Sequence, residues 1–231
     1  MVRMLSERCS ANDVYQTDNW DDKNGVGHRT FHLTAHSHIR HYGRKRWNDA
    51  YTFAIVRHPL ARQVSNFFFL AGSDNCGSPH SKCQERLIPD LDLETMSDDD
   101  KIDAFHKWIQ VVYKAFPPNH AEHYRFGAAG HGNEVYSTFG ATQSSWMVDP
   151  NTNNKGAIIV KDVFKLEELS DDISKLSSKV PCLGSLEKMY RKNTTAKYPH
   201  YMLFGTNKET NSIINTVFAD DFRNLHYEPL Q

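Results

Sequence analysis

Residues 53–67, with the sequence FAIVRHPLARQVSNF, hold an arginine and a serine at a spacing that suits anion binding. Arg57 follows an apolar run, and Ser65 comes about two helical turns later. A guanidinium offers a planar fork of N–H donors that matches phosphate geometry, and a hydroxyl adds one more donor. The spacing therefore predicts a phosphate clamp. Residue types alone favour the alternative in which Arg57 pairs with a carboxylate and Ser65 faces solvent.

A cluster of histidines nearer the N-terminus suggests a different chemistry. Its members are His28, His32, His36, His38 and His41. His32 and His36 share a face if this stretch is helical, and imidazole nitrogens are common zinc ligands. However, the glutamate base expected between two such ligands is missing, and Thr34 favours a helix that begins after His32. A zinc protein is thus an alternative hypothesis.

The elements that must position Arg57 follow from the apolar pattern around it. Residues 51–56 are rich in β-branched and aromatic side chains, which is typical of a buried strand. Proline disfavours helix at the residue before it and fits the first helical turn. Pro59 therefore predicts a corner between that strand and a helix over residues 60–70. Open α/β sheets bind ligands at such corners.

Further elements are predicted on both sides of this corner. Thr34 is expected to cap a helix over residues 35–42 that ends at Gly43. Residues 157–160 are apolar and predict a second strand. Together with the helices that follow, this order predicts an α/β fold with a parallel sheet covered by helices.

Three more helices are predicted from apolar side chains at helical spacing. Their apolar faces are Phe105, Trp108, Ile109, Val112 and Phe116; Leu166, Leu169, Ile173 and Leu176; and Ile213, Ile214, Val217, Phe218 and Phe222. The acidic run at residues 97–100 is expected to cap the first of these helices. Thr206 and Glu209 have the spacing of a capping box for the last one.

Composition limits the classes of function. The chain has 231 residues, of which 39% are hydrophobic, and this is enough for one sizeable core and one domain. A formal net charge of -1 provides no general attraction to nucleic acid or to anionic membranes. No run of about 18 apolar residues occurs, so this chain is expected to contain no transmembrane segment.

The cysteines leave the redox compartment open. There are only four, Cys9, Cys76, Cys83 and Cys182, and their spacing is not that of a zinc ribbon. Cys76 and Cys83 bracket a short polar loop. They fit equally well a disulfide in an oxidising lumen or two free thiols.

Residues 53–67 resemble the 3′-phosphate-binding motif of sulfotransferases that use 3′-phosphoadenosine-5′-phosphosulfate. That motif is a strand, an arginine, any residue and a proline, followed by an arginine and a serine. Arg57, Pro59, Arg62 and Ser65 occupy its fixed positions. Weaker similarities lie on both sides of this motif. Their order along the chain resembles that in the second sulfotransferase family, which includes carbohydrate and glycosaminoglycan enzymes. They lie at Phe31, His32, Ala35, Gly43, Trp47, Gln143, Trp146, Lys165, Glu167, Leu169, Asn193, Thr195, Asp221, Phe222 and Tyr227.

This resemblance implies a fold, a reaction and a location. It implies an α/β domain over residues 31–231, with a P-loop nucleotide-kinase-like parallel sheet flanked by helices, after an irregular segment over residues 1–30. The implied reaction transfers a sulfuryl group from 3′-phosphoadenosine-5′-phosphosulfate to a hydroxyl of a carbohydrate or glycosaminoglycan, without a metal. Arg57 and Ser65 would bind the donor. The family resides in the Golgi lumen; the cytoplasm is the alternative, because this chain shows no signal peptide or membrane anchor.

The resemblance also indicates a catalytic base. Related glycosaminoglycan enzymes place a histidine shortly before the arginine-containing strand, and imidazole titrates near neutral pH. His32 is the candidate at this position, and His36 is the fallback. With 13 histidines in the chain, a surface or core-edge role is the alternative for either one.

One part of the family pattern is not found. Family members begin with a strand and a glycine-rich, lysine-containing loop that binds the 5′-phosphosulfate. The only glycine pair before His32 is Gly25 and Gly27, and neither a strand nor a lysine accompanies it. We therefore expect the first strand and phosphate loop to be missing and transfer by this chain to be weak. A non-catalytic module that binds a nucleotide or a sulfated glycan is the second function hypothesis.

A basic patch lies close to His32 in the sequence. It consists of Arg40, Arg44, Lys45 and Arg46. A solvated helix end is the simpler interpretation, and contact with an acidic polysaccharide is the alternative.

Overall fold

The computed structural model describes residues 34–71, 93, 95–115, 142–149, 157–181 and 200–231. His32, the four cysteines and the predicted boundary near residue 30 lie outside this part of the chain. The elements are α1 (Ala35–Tyr42), α2 (Arg44–Asp49), β1 (Phe53–Val56), α3 (Pro59–Ala71), α4 (Asp98–Ala115), β2 (Asp162–Lys165), α5 (Leu169–Lys179), α6 (Lys208–Val217) and α7 (Ala219–Asn224). Two short 3-10 helices span Ser144–Trp146 and Tyr201–Gly205.

The described residues fall into two compact units. Unit 1 contains the described residues up to Val56 and those from Trp146 to residue 181. Unit 2 contains those from Arg57 to Ser145 and residues 200–231. The predicted extent of one domain over residues 31–231 stays a prediction.

Unit 1 contains a two-stranded parallel sheet. β1 pairs with β2 in a register that sets Phe53 opposite Asp162 and Val56 opposite Lys165. The tyrosine hydroxyl of Tyr51 donates to Asp162 Oδ2 at 2.8 Å, and this bond lowers the pKa of Asp162. The predicted strand before Arg57 is confirmed, with its start at Phe53 instead of residue 51.

The second strand was predicted at the wrong place. Residues 157–160 form no strand; Ile158 makes only an isolated antiparallel bridge with Val148. The paired strand begins at Asp162, and its two apolar residues lie between two charged ones. The prediction rested on the apolar run, but an apolar run does not show which backbone groups are paired, and residues 157–160 are only partly buried.

The predicted helix over residues 35–42 is confirmed as α1. Its first turn is closed by the bond from His38 N to Thr34 O, 3.0 Å. Gly43 follows with φ 88, a backbone conformation that glycine adopts without strain, and its N–H donates to Ile39 O at 2.9 Å. The helix therefore ends where a glycine was expected to end it.

The helix after β2 begins later than predicted, because its predicted apolar face started at Leu166. α5 begins at Leu169, and Leu169 and Leu176 are buried. Leu166 was predicted to point inward, but it precedes the helix and is 39% exposed. Its backbone N–H instead extends the parallel ladder by donating to Val56 O at 2.7 Å.

Unit 2 has a core of aliphatic and aromatic side chains from α3, α4, α6 and α7. The buried members are Leu60, Val64, Phe67, Phe68, Ala104, Phe105, Trp108, Ile109, Tyr113, Phe204, Ile214, Val217, Phe218 and Phe222. Edge-to-face ring pairs such as Phe67 with Phe105, with centroids 5.7 Å apart, fill its centre. The predicted inward residues Phe105, Trp108 and Ile109 are confirmed.

Of the two helix caps predicted in unit 2, the cap of α4 is present and the cap of α6 is not the predicted one. Ser97 Oγ accepts a hydrogen bond from Asp100 N at 3.2 Å, so the acidic run at residues 97–100 does open α4. The capping box predicted for Thr206 and Glu209 is wrong. Asn207 caps α6 through its Oδ1, which accepts from Thr210 N, whereas the Thr206 hydroxyl donates to Leu203 O.

The last predicted helix is divided into two. α6 ends at Val217, and α7 begins at Ala219. Ile214, Val217, Phe218 and Phe222 are nevertheless buried, as the apolar pattern predicted. The sequence periodicity continued through the break because both helices pack on the same core.

The described chain is therefore a mixture of helices and strands with a small parallel sheet flanked by helices, compatible with the predicted α/β class. None of the described helices combines the length and apolar character needed to cross a membrane.

His106 is a titratable group buried between two helices of unit 2. Its Nδ1 lies 3.1 Å from Oγ1 of Thr210, which joins α4 to α6. Burial lowers the pKa of His106 below its ordinary value, an effect that the charge of Asp103 partly opposes. The folded state therefore takes up this proton less readily than the unfolded chain does.

We predict that acidification destabilises the fold through His106. As the pH falls through about 6.5, the unfolded chain is protonated first, so the free energy of unfolding should decrease until the lower folded-state pKa is passed. His106→Asn should flatten this dependence, which is at most about 1.4 kcal/mol per pH unit for one proton. Urea unfolding at a series of pH values measures it.

Thr210→Val is the matched control, because it removes the hydroxyl partner but leaves the imidazole buried. Its pH dependence should follow that of the parent. Parallel pH curves for the parent and His106→Asn would contradict the assignment.

Candidate functional site

The predicted phosphate clamp lies at the corner after β1. His58 and Pro59 form the start of α3 at this corner. The ring nitrogen Nδ1 of His58 lies 3.2 Å from Leu60 N and accepts its hydrogen bond. Pro59 has no N–H to satisfy at the first helical position, and Arg62 N donates to His58 O at 2.9 Å. The first turn of α3 is thus capped by the residue next to Arg57.

The His58 ring is itself held by aromatic neighbours in unit 2. Its centroid lies 5.6 Å from that of Tyr201, 5.7 Å from that of Phe222 and 5.2 Å from that of Tyr227. These contacts fix the ring that caps α3. The start of α3 is therefore packed against aromatic side chains of unit 2.

The backbone of Arg57 is gripped by one side chain. Arg57 N donates to Gln143 Oε1 at 3.0 Å, and Gln143 Nε2 donates to Arg57 O at 2.8 Å. The amide of Gln143 therefore satisfies both the N–H and the carbonyl of the same residue. We call this pair of bonds the Gln143 clasp.

Gln143 is held in turn by a fully buried carboxylate. Asp221 is 0% exposed, and its Oδ2 accepts from Gln143 N at 2.8 Å. Its Oδ1 accepts from both Ser144 N and Ser144 Oγ, each at 2.8 Å. The carboxylate of α7 thus fixes the start of the 3-10 helix that begins at Ser144.

Arg62 and Asp221 balance each other electrostatically within this site. Burial lowers the pKa of Arg62, and the negative charge of Asp221 opposes that effect. Tyr113 acts in the same direction as Asp221, while the positive charge of Arg57 lowers the pKa of Arg62 further. Arg57 therefore lies close enough to Arg62 for their charges to repel.

Arg57 and Ser65 are the residues predicted to bind phosphate, and both lie in unit 2. Ser65 is six residues into α3 from Pro59, which corresponds to about 9 Å along the helix axis. Both side chains are partly exposed. In the part of the chain that the structure describes, the Arg57 guanidinium has no carboxylate partner, and the Ser65 hydroxyl makes no hydrogen bond.

His36, the fallback base, belongs to a second cluster that lies in unit 1. Its Nδ1 lies 3.1 Å from Oδ1 of Asp149, a carboxylate that is 0% exposed. Arg44 reaches the other oxygen of Asp149 through its guanidinium. Arg44, predicted as a member of a basic patch, is thus paired with a buried carboxylate.

The zinc hypothesis rested on His32 together with His36. His32 lies outside the described residues, and His36 is engaged with Asp149. Within the described ranges, no group of three His, Cys, Asp or Glu side chains is arranged to hold a metal ion.

The roles of Gln143 and Asp221 were missed in the sequence. Both belong to the weaker similarities quoted above, but no role followed from their type. Asp221 stands next to Asp220 at the start of a helix, where any acidic residue is expected from the helix dipole. Only the long-range contacts distinguish the buried Asp221 from its neighbour.

Comparison of the chain with protein-family models, with curated proteins and with solved structures finds no match.

Replacing the carboxylate of Asp221 should weaken unit 2. Asp221→Asn keeps the size of the side chain but turns one acceptor oxygen into an NH₂ group that faces N–H donors. It also removes the charge that balances Arg62. We expect the free energy of unfolding to fall by about 1.5–3 kcal/mol, the range for a hydrogen bond to a charged group. Urea unfolding measures the loss.

The adjacent residue supplies the control. Asp220 is on the surface, where it pairs with Arg223, and both side chains are substantially exposed. Asp220→Asn should therefore change the free energy of unfolding by less than about 0.5 kcal/mol. Equal losses for the two variants would show that the buried contacts of Asp221 do not stabilise the fold.

Proposed function

We propose that this chain belongs to the machinery that transfers a sulfuryl group from 3′-phosphoadenosine-5′-phosphosulfate to a hydroxyl of a carbohydrate or glycosaminoglycan. It supplies the part that binds the 3′-phosphate, and transfer by the chain without a phosphate loop is expected to be weak. The observation that carries the proposal is the corner after β1, where Arg57 and Ser65 flank the first two turns of α3. Arg57 has no carboxylate partner among the described residues. A 3′-phosphate is an anion whose geometry suits a guanidinium and a hydroxyl placed in this way.

The charges of the corner favour an incoming anion. Arg62 is balanced by the buried Asp221, whereas Arg57 adds a second positive charge close to Arg62. A bound phosphate would offset the repulsion between the two guanidinium groups. The two positive charges therefore favour a phosphate at Arg57 over a neutral ligand.

The anion would be held mainly by side chains. Helix N-termini often bind phosphate through free backbone amides. Here Pro59 has no N–H, Leu60 N donates to His58, and Arg62 N donates to His58 O. Binding should consequently depend strongly on Arg57, because few amides of this first turn remain to replace it.

Sulfuryl transfer also needs a base for the acceptor hydroxyl and positive charge at the leaving phosphate. His32 is the proposed base, and His36 is the fallback. The proposed fold is of the P-loop nucleotide-kinase-like kind, and the parallel pairing of β1 with β2 is compatible with it. The proposed compartment is the Golgi lumen.

The first test of the proposal is nucleotide binding. Adenosine 3′,5′-bisphosphate, the product of the donor, should bind to the chain, and Arg57→Ala should weaken this binding by about 1.5–3 kcal/mol. The loss arises because a charge-assisted hydrogen bond to the 3′-phosphate disappears. Isothermal titration calorimetry at one fixed salt concentration measures both affinities.

Arg223→Ala is a control that removes an exposed arginine from the same unit. It should bind the nucleotide as the parent does. If the folded parent binds no adenosine 3′,5′-bisphosphate, or if Arg57→Ala binds it equally well, the proposed function is wrong. Binding without any sulfate transfer, in a version of the chain restored with an upstream phosphate loop, would favour the non-catalytic nucleotide- or glycan-binding module instead.

The second test separates the two candidate bases in a transfer assay on a version of the chain that is restored with an upstream phosphate loop. If His32 takes the acceptor proton, His32→Ala should lower the turnover rate by a factor on the order of 10² to 10⁴, with nucleotide affinity nearly unchanged. His36→Asn is the comparison, since its amide can keep the hydrogen bond to Asp149 while the imidazole is lost.

Three outcomes of this comparison are informative. A large loss for His32→Ala alone supports His32. A large loss for His36→Asn alone transfers the role to His36. Unchanged turnover in both variants would remove both histidines from the mechanism.

A further inference from the structure

The Gln143 clasp acts on the two peptide groups that define the backbone of Arg57. The N–H of Arg57 belongs to the peptide group before its Cα, and its carbonyl belongs to the one after it. Gln143 binds both, at 3.0 Å and 2.8 Å. Because φ and ψ describe rotation of these two groups about Cα, binding both fixes φ and ψ. The direction in which the Arg57 side chain leaves the backbone is then fixed as well.

A neighbouring strand would normally supply such a pair of bonds. In a parallel ladder, the N–H and the carbonyl of one residue are both satisfied by the adjacent chain. The ladder between β1 and β2 uses Val56, whose carbonyl accepts from Leu166 N at 2.7 Å. The N–H and the carbonyl of Arg57 are instead both bound by the side-chain amide of Gln143. A side-chain amide suits this role, because its oxygen accepts from the N–H and its nitrogen donates to the carbonyl.

Gln143 can fix Arg57 only if it is itself fixed. Its own N–H donates to Oδ2 of Asp221, and the next residue, Ser144, donates twice to Oδ1. Since Asp221 is fully buried, these bonds are not in competition with water. A chain of contacts therefore leads from the core of unit 2, through Asp221 and Gln143, to the backbone of Arg57.

We infer that Gln143 is a positioning residue for the guanidinium of Arg57, and that Asp221 anchors Gln143 for this purpose. The inference rests on the proposed function, because it assigns to Arg57 the 3′-phosphate of the nucleotide. Gln143 itself does not touch the phosphate. Its effect on binding is exerted through Arg57, which distinguishes it from a residue that merely holds a loop in place.

A double-mutant cycle tests this dependence directly. The four proteins are the full-length parent, Gln143→Met, Arg57→Ala and the double variant. Methionine has nearly the length of glutamine but forms neither bond of the clasp, so the packing volume is kept. The affinity of each protein for adenosine 3′,5′-bisphosphate is measured by calorimetry, with the nucleotide titrated to millimolar concentration.

Gln143→Met should weaken binding about tenfold when Arg57 is present, as expected for the loss of positioning hydrogen bonds. In the Arg57→Ala background the same change should weaken binding less than twofold. Gln143→Glu is a second variant, which keeps the acceptor for Arg57 N and loses the donor to Arg57 O. It should also weaken binding, and circular dichroism shows whether each variant is folded.

The outcomes separate this inference from the proposed function. An equal loss of affinity in both backgrounds, or equal affinity of the parent and both folded Gln143 variants, overturns the inference and leaves the proposed function standing. A folded parent that does not bind adenosine 3′,5′-bisphosphate overturns both.

Discussion

A carboxylate that is fully buried is unfavourable unless hydrogen-bond donors replace its lost water, and residues 143 and 144 supply these donors to Asp221. The same carboxylate offsets the cost of burying the charge of Arg62. The Gln143 clasp, and with it the backbone of Arg57, depends on this arrangement. The backbone of Arg57, the residue proposed to bind phosphate, is therefore held in place by contacts that begin at a buried carboxylate.

Unit 1 uses a buried carboxylate in a comparable way. Asp149 is approached by the imidazole of His36 from α1 and by the guanidinium of Arg44 from α2. A bond to Asp149 orients the ring of His36, as carboxylates do for many functional histidines. The same contact gives His36 a structural role, which explains why a histidine here need not be a base.

Local elements were predictable, whereas contacts between distant segments were not. The strand, the corner at Pro59 and the helix carrying Ser65 follow from neighbouring residues, and the structure contains them. The Gln143 clasp joins residues 86 positions apart, and the bond from Gln143 N to Asp221 spans 78. Residue type alone did not separate Asp221 from Asp220, or Asn207 from Thr206 as the cap of α6. The misplaced second strand has the same cause, because pairing is a long-range property.

The most direct test of the account is a crystal structure of the chain with adenosine 3′,5′-bisphosphate. The account predicts that the 3′-phosphate lies within hydrogen-bonding distance of the Arg57 guanidinium and the Ser65 hydroxyl, with both bonds of the Gln143 clasp intact. Such a structure would link the buried carboxylate of Asp221 to ligand binding. A nucleotide bound elsewhere, with the corner after β1 unchanged and empty, would contradict it.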